Sequence, residues 1–92
     1  MLYFEWDRVK ANVNFEKHNV TFDDVALAFG NPLSLTVPDP DHSEGAYRYL
    51  LIGVSVASHL IVVSHTERSG RIRIIGARLA VPKERRDYEQ GI

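Results

Sequence analysis

Two apolar runs of strand composition flank a short turn, and this pair constrains the fold more than any other feature. The runs are HLIVVSHTE at 59–67 and RIRIIGARLA at 71–80. Both are rich in the β-branched residues that favour strands. The intervening Arg-Ser-Gly fits a three-residue hairpin loop with Gly70 in the left-handed conformation. The sequence therefore predicts an antiparallel hairpin.

The length of this loop decides which hairpin side chains share a face, because directly opposed residues of paired strands point the same way. A three-residue loop pairs Glu67 with Arg71 and His65 with Arg73, so these four side chains are predicted to form one polar cluster. A loop of two or four residues would pair His65 with Ile74 and disperse the cluster.

The predicted cluster contains the groups that RNA cleavage requires. A 2′-hydroxyl must lose a proton, the pentavalent phosphate must be stabilised, and the leaving oxygen must gain a proton. Histidine titrates near neutrality and can act as acid or base, so we predict this role for His65, with Glu67 as its orienter or the second proton carrier. Arginines bind phosphate oxygens in bidentate fashion, which is the role predicted for Arg71 and Arg73 of the cluster and for Arg68 in the adjoining loop. No metal or other cofactor is predicted. The residues alone leave open a structural histidine and arginines paired with carboxylates.

The rest of the chain predicts three helices and further strands. LYFEW at 2–6, LSLTV at 33–37 and YRYLLIGVS at 47–55 have strand composition. A first helix is predicted from Arg8 to His18, a second after Thr21, and a third from Pro82 to Gly91. The first helix is predicted to turn Val9, Val13 and Phe15 inward and to stop at Asn19; the second has its apolar stripe at Phe22, Val25, Ala26 and Phe29. We predict a single α+β domain over residues 1–92, with an antiparallel sheet and the two N-terminal helices packed on one face.

Charge is distributed unevenly along a chain whose formal net charge is only −1. Residues 1–46 hold three Lys or Arg against eight Asp or Glu, and residues 47–92 hold eight against four. A basic second half favours an anionic ligand. The absence of cysteine excludes disulfides and thiolate chemistry. No apolar run has the length of a membrane span, and the N-terminus lacks a secretory signal, so a soluble cytoplasmic protein is expected.

Three segments resemble the BrnT-type ribonuclease toxins of type II toxin–antitoxin systems. They are FEWDRVKANVNFEKHNVTFDDVALAF at 4–29, PDPDH at 38–42 and HTERSGRIRIIGARLAVPKERRDYE at 65–89. The resemblance covers nearly the whole chain and implies a RelE-like fold with a short C-terminal helix. It also implies an mRNA-directed endoribonuclease that arrests translation and growth. The implied partner is a cognate ribbon-helix-helix antitoxin, through which alone the toxin would contact operator DNA.

The resemblance also implies which residues carry the activity. The catalytic set is His65, Glu67, Arg68 and Arg73, and the RNA-binding set is Lys17, His18, Arg71 and Arg78. Arg78 has the wrong strand parity to join His65 unless a bulge at Gly76 reorients it. Two alternatives stay open: a binding module that only docks the antitoxin as a co-repressor, and a degenerate toxin without activity. The oligomeric state is also open, with a homodimer and a heterotetramer with the antitoxin as alternatives.

Overall fold

A five-stranded sheet with helices on both faces forms the structure, a computed structural model that describes residues 2–42, 47–55 and 58–91. In chain order the elements are β1 (Phe4–Glu5), α1 (Arg8–His18), α2 (Phe22–Ala28), β2 (Leu35–Pro38), a short 3₁₀ turn (Pro40–His42), β3 (Tyr49–Val54), β4 (Leu60–Arg68), β5 (Arg71–Leu79) and α3 (Pro82–Glu89). The strand order across the sheet is β1-β5-β4-β3-β2. The α+β class is therefore confirmed.

The sheet is mixed, which corrects the prediction of an antiparallel sheet. Strands β2 to β5 pair antiparallel with their neighbours, as predicted, but β1 pairs parallel with β5. No hairpin links β1 to a neighbour, because two helices follow it directly. Strand β1 instead pairs with β5 on the side away from β4, through two residues, Phe4 opposite Ile72 and Glu5 opposite Arg73.

The predicted starts of the three helices and the predicted end of α1 are confirmed, whereas α3 ends at Glu89 rather than at Gly91. Asp7 accepts the backbone N–H of Lys10 at 3.0 Å and begins α1, and this hydrogen bond holds the pKa of Asp7 below its usual value. Asn19 ends α1 in the left-handed conformation, with φ of 58°. Thr21 begins α2 by accepting the N–H of Asp24 at 3.2 Å. Each cap involves residues at most four positions apart in the chain, so the sequence around it is enough to predict where the helix begins or ends.

Strand alternation divides the core between the two faces of the sheet. On one face, Ile61 and Val63 of β4 pack with buried residues of α2, including Phe22 and Val25. On the opposite face, Leu60 and Val62 pack with Ile52 and with residues near the C-terminus, including Tyr88 of α3. We call these the helix-pair face and the α3 face. Of the helices in the described ranges, none is long and apolar enough to cross a membrane.

The inward side of α1 differs from the prediction. Val9, Val13 and Phe15 are exposed, whereas Ala11 packs against the core and Asn14 is buried. The apolar residues of α1 recur at every second position, which scatters them around a helix and leaves no single stripe. α1 lies against β5, where its small and amide side chains allow close approach.

Candidate functional site

The loop of the β4–β5 hairpin has two residues, so the predicted cluster of His65, Glu67, Arg71 and Arg73 does not form. Arg68 pairs directly with Arg71, which leaves only Ser69 and Gly70 in the loop. Their φ angles of 52° and 78° are those of a type I′ turn, whose twist matches that of the flanking strands. Ser69 therefore takes the left-handed conformation that had been predicted for Gly70 alone. His65 lies opposite Ile74 rather than Arg73, and the predicted register is wrong.

His65 is part of the core on the helix-pair face. Its side chain is only 4% exposed and lies between two aromatic rings. The ring of Phe29 meets it edge-on at 4.9 Å, and the ring of Tyr49 stacks on it at 5.7 Å. Neither ring nitrogen has a hydrogen-bond partner within the described part of the chain. Burial lowers the pKa of His65 to about 4, so the imidazole is neutral at pH 7 and shielded from solvent.

Three arginines share the α3 face near the hairpin loop. Arg68 and Arg71 are directly opposed, and Arg73 lies opposite Thr66. Because alternate residues of a strand share a face, these side chains project together; we call Arg68, Arg71 and Arg73 the arginine cluster. Arg68 and Arg71 are exposed, and within the described ranges neither has an ion-pair partner. Glu67 is exposed on the other face, opposite Ile72, so it does not join the cluster.

The carboxylate that lies beside the arginine cluster is Glu5 of β1. Its Oε2 is 3.4 Å from Nη1 of Arg73, and both side chains are 29% exposed. Sequence reasoning missed Glu5 because it lies 68 positions before Arg73 in the chain. The alternation of LYFEW is the signal that could have identified it: Phe4 packs against the core, so the next side chain must face the other way.

Arg78 lies apart from the arginine cluster and forms an ion pair with Glu84. Ser64 pairs with Gly76 while His65 pairs with Ile74, so Ile75 is an extra residue in β5. The bulge predicted at Gly76 therefore lies one residue earlier, at Ile75. It leaves Arg78 on the α3 face opposite Val62, so Arg78 does not join His65, which lies on the helix-pair face. There the guanidinium donates to both carboxylate oxygens of Glu84, at 2.7 and 2.8 Å. This pairing raises the pKa of Arg78 and lowers that of Glu84.

His18 lies near Arg78 rather than near the arginine cluster, and Lys17 lies beside His18 at the end of α1. His18 lines a cavity of about 200 Å³ together with Ser64 and Arg78, and a neighbouring shallow cavity is lined by both Lys17 and His18. Arg73 and Arg78 lie opposite Thr66 and Val62, four residues apart on β4, a separation of about 13 Å at 3.3 Å per residue. The structure thus separates the predicted RNA-binding residues into two groups.

Asn14 connects α1 to the β5 bulge and was not singled out from the sequence. Its Nδ2 donates to the carbonyl of Val20 at 3.2 Å, and its Oδ1 accepts the N–H of Ala77 at 3.0 Å. The side chain is 9% exposed, so both hydrogen bonds are buried. Asn14 therefore provides hydrogen-bond partners for two backbone groups, the N–H of Ala77 next to the β5 bulge and the carbonyl of Val20 between α1 and α2.

The arginine cluster has the chemistry of a phosphate site. Planar guanidinium groups remain charged at every physiological pH and donate in a fork that matches phosphate oxygens. Their backbones lie on neighbouring strands, about 4.8 Å apart, so the guanidinium groups can reach one bound phosphate and stabilise charge that develops on it. Glu5 is an acceptor beside these donors, within reach of the same ligand. A bound phosphodiester would therefore contact cations and a carboxylate together.

Comparisons with known proteins agree with this fold and with the resemblance described above. Residues 6–84 match the family model "Ribonuclease toxin, BrnT, of type II toxin-antitoxin system". The sequence matches no curated protein. The crystal structure of the Brucella abortus ribonuclease toxin BrnT is similar in fold, with a TM-score of 0.70 and 24% sequence identity. That similarity covers 88% of this chain and 99% of the Brucella chain.

The family match spans most of the chain, from the end of β1 to the first turn of α3, and so includes the hairpin and all eight residues predicted for the site. A type II toxin–antitoxin family implies an antitoxin partner. The chain belongs to the BrnT family of ribonuclease toxins of type II toxin–antitoxin systems.

Proposed function

We propose that this chain is an endoribonuclease that cleaves mRNA without a metal ion and that the arginine cluster binds the scissile phosphate. The observation that carries the proposal is the projection of Arg68, Arg71 and Arg73 from one face of the hairpin in a chain of a ribonuclease-toxin family. Cleavage of mRNA would arrest translation and growth. The earlier assignment of His65 as acid or base is replaced, because the ring is buried, neutral and unable to reach a substrate.

In the proposed reaction the 2′-hydroxyl of one nucleotide attacks the adjacent phosphorus. Its proton passes to the carboxylate of Glu5, and the arginine cluster stabilises the charge that develops on the phosphate oxygens. The bond to the 5′ oxygen then breaks, and that oxygen takes a proton from water. The products are a 2′,3′-cyclic phosphate and a 5′-hydroxyl. The 3.4 Å contact with Arg73 supports this role for Glu5, because it orients the carboxylate toward the phosphate site.

The remaining predicted residues are given supporting roles in the proposal. Lys17 and His18 lie about the C-terminal end of α1, where they can bind the RNA backbone beyond the scissile phosphate. Arg78 anchors α3 through Glu84 and contributes positive charge. Glu67 is exposed at the hairpin end on the opposite face and has no part in the proposed proton transfer.

We further propose that the antitoxin is of the ribbon-helix-helix type and inhibits by covering the arginine cluster. Exposed arginines are a surface that an acidic antitoxin segment can bind and hide from RNA. Operator DNA would be contacted by the antitoxin and not by this chain. A structure of the complex that leaves Arg71 and Arg73 open to solvent would contradict inhibition by occlusion.

The activity is tested by incubating purified protein with a long unstructured RNA in EDTA and analysing the new termini. We expect cleavage that leaves 2′,3′-cyclic phosphates. Glu5→Gln keeps the size of the side chain and removes the proton acceptor, so its cleavage rate should fall at least about 10²-fold. Arg71→Gln should reduce the rate similarly by removing one phosphate donor.

The matched control is Arg86→Gln, which removes an exposed arginine of α3 that lies outside the arginine cluster. It should cleave at the wild-type rate, since overall charge is then the only change. Cleavage that needs added Mg²⁺ would refute the metal-free route. Intact RNA with the wild type, both alone and in a translating extract, would instead favour a binding module that acts with the antitoxin.

A further inference from the structure

Tyr3 lies at the edge of the arginine cluster and is fixed there by the backbone. Its carbonyl accepts the N–H of Ile72 at 2.8 Å, immediately before β1 begins. Along β1, Phe4 lies opposite Ile72 and packs against the core, while Glu5 lies opposite Arg73 on the α3 face. Alternation along this extended segment therefore places Tyr3 on the α3 face, level with Arg71.

The ring of Tyr3 has no role in the core. It is 59% exposed, although the two aromatic residues that follow nearby are both packed. Phe4 meets Phe29 at 5.2 Å, and Trp6 meets Phe22 at 6.0 Å. Within the described part of the chain, no ring stacks on Tyr3. One large aromatic ring is therefore presented to solvent in a row with two arginines.

Three side chains form this row across the sheet: Tyr3 in the extended segment before β1, Arg71 on β5 and Arg68 on β4. Neighbouring strands lie about 4.8 Å apart, so the ring and the first guanidinium are close enough to contact the base and the phosphate of one nucleotide. Single-stranded RNA is bound by this combination, since aromatic rings stack on unpaired bases while cations bind the backbone. A base in a duplex is already stacked on both sides and cannot use such a ring.

We propose that Tyr3 is a base-stacking subsite that binds an unpaired nucleobase of single-stranded RNA next to the phosphate held by Arg71. This inference rests on the proposed function, and it adds that the substrate must be unpaired at the cleaved position. Stacking uses the face of the ring and not the hydroxyl, so the subsite accepts any base. The alternative, in which Tyr3 contacts the antitoxin, is an outcome of the test below.

The test measures binding of a short 2′-O-methyl RNA oligonucleotide by fluorescence anisotropy, since blocking the 2′ oxygen prevents cleavage. Tyr3→Ala should weaken binding about tenfold or more, whereas Tyr3→Phe and Tyr3→Trp should bind as the wild type does. Leu2→Ala is the matched control, because Leu2 is equally exposed, at 55%, and alternation turns it away from Tyr3. It should not change binding.

A second arm uses oligonucleotides that carry one abasic position, moved along the strand. At one position, removing the base should weaken binding to the wild-type protein as much as Tyr3→Ala weakens binding of the intact oligonucleotide. Tyr3→Ala should bind that abasic oligonucleotide no more weakly than the wild type does. RNA already paired into a duplex should bind the wild type and Tyr3→Ala equally. The variants are compared by circular dichroism, and rescue by Tyr3→Phe separates loss of stacking from loss of folding.

The outcomes separate this subsite from the proposed function. Unchanged binding by Tyr3→Ala together with weak binding by Arg71→Gln would overturn the subsite and leave the phosphate site intact. Unchanged binding by both variants would overturn the two proposals together. Loss of antitoxin affinity by Tyr3→Ala with unchanged RNA binding would show that the ring serves a protein interface, which also overturns the subsite.

Discussion

The burial of His65 predicts that the folded protein loses stability as the pH falls from 7 to 5. Its imidazole lies between Phe29 and Tyr49, and its nitrogens have no hydrogen-bond partner among the described residues. In the unfolded chain the imidazole titrates near its usual value of 6.5, whereas burial lowers the pKa of folded His65 to about 4. Between pH 6.5 and about pH 4, His65 is therefore protonated in the unfolded chain but stays neutral in the folded protein. This difference in proton binding favours unfolding as the pH falls.

The magnitude follows from the difference between the two pKa values. Lowering the pKa of His65 from 6.5 in the unfolded chain to about 4 in the folded protein corresponds to roughly 3 kcal/mol of unfolding free energy in total. Of this, about 2 kcal/mol should be lost between pH 7 and pH 5, before most carboxylates begin to titrate. For a domain of 92 residues this is a substantial fraction of an unfolding free energy that is typically about 5–15 kcal/mol.

The assay is urea unfolding at pH 7 and pH 5, followed by circular dichroism. His65→Phe replaces the imidazole by an apolar ring that cannot be protonated, so this variant should lose at least about 1.5 kcal/mol less than the wild type over the same interval. His18→Gln removes an exposed histidine and is the control that should retain the wild-type pH dependence. An equal loss in the wild type and His65→Phe would refute the argument, because it would show that His65 is protonated without cost in the folded state.

Three further predictions concern the contacts that fix the hairpin and its helices. Asn14→Ala should lower the free energy of unfolding by about 2–3 kcal/mol, because it leaves the buried N–H of Ala77 without a partner. A double-mutant cycle of Arg78 and Glu84 should give a coupling energy of about 1 kcal/mol, since the two-point geometry is favourable but Arg78 is 41% exposed and solvent screens the pair. Ser69→Asn should raise the unfolding free energy by about 0.5 kcal/mol, since asparagine is favoured before glycine in a type I′ turn. Urea unfolding at pH 7 measures all three.

Each of these has a control in the same chain. Asn12 is exposed on α1, so Asn12→Ala should change stability by less than about 0.5 kcal/mol. The exposed pair Lys83–Asp87 should couple by less than Arg78 and Glu84 do, at about 0.3 kcal/mol. A neutral effect of Asn14→Ala would contradict the buried hydrogen bonds, and destabilisation by Ser69→Asn would contradict the two-residue loop.

Local signals in the sequence predicted the helices better than they predicted the faces of the strands. Caps such as Asp7 and Thr21 act within one turn of helix, so their effect can be derived from neighbouring residues. The face of a strand residue depends instead on the count of residues in the adjoining loop. A change from three loop residues to two moved His65 from the predicted polar cluster into the core.

The sequence predicted only part of the candidate site, because the face of each strand residue depends on the length of the hairpin loop. Arg71 and Arg73 share a face as predicted, because residues two apart on one strand stay together whatever the length of the loop. Arg68 was predicted to lie in the loop, and it joins them because the two-residue loop pairs it with Arg71. Glu5 could not be paired with Arg73 from the sequence, since a parallel contact between chain segments this distant leaves no local pattern. The backbone beside the bulge at Ile75 is likewise hydrogen-bonded to Asn14, a residue of another element that no local pattern in β5 indicates.

We propose that ribonuclease activity resides in the arginine cluster and not at His65, and a comparison of two variants tests this proposal. The single-turnover cleavage rate of one RNA is measured for Arg71→Gln and for His65→Phe at pH 7, with folding of each variant established beforehand. We expect the rate to fall about 10² to 10³-fold for Arg71→Gln and to stay within about threefold of the wild type for His65→Phe. A folded His65→Phe protein that no longer cleaves RNA, beside an active Arg71→Gln, would contradict it.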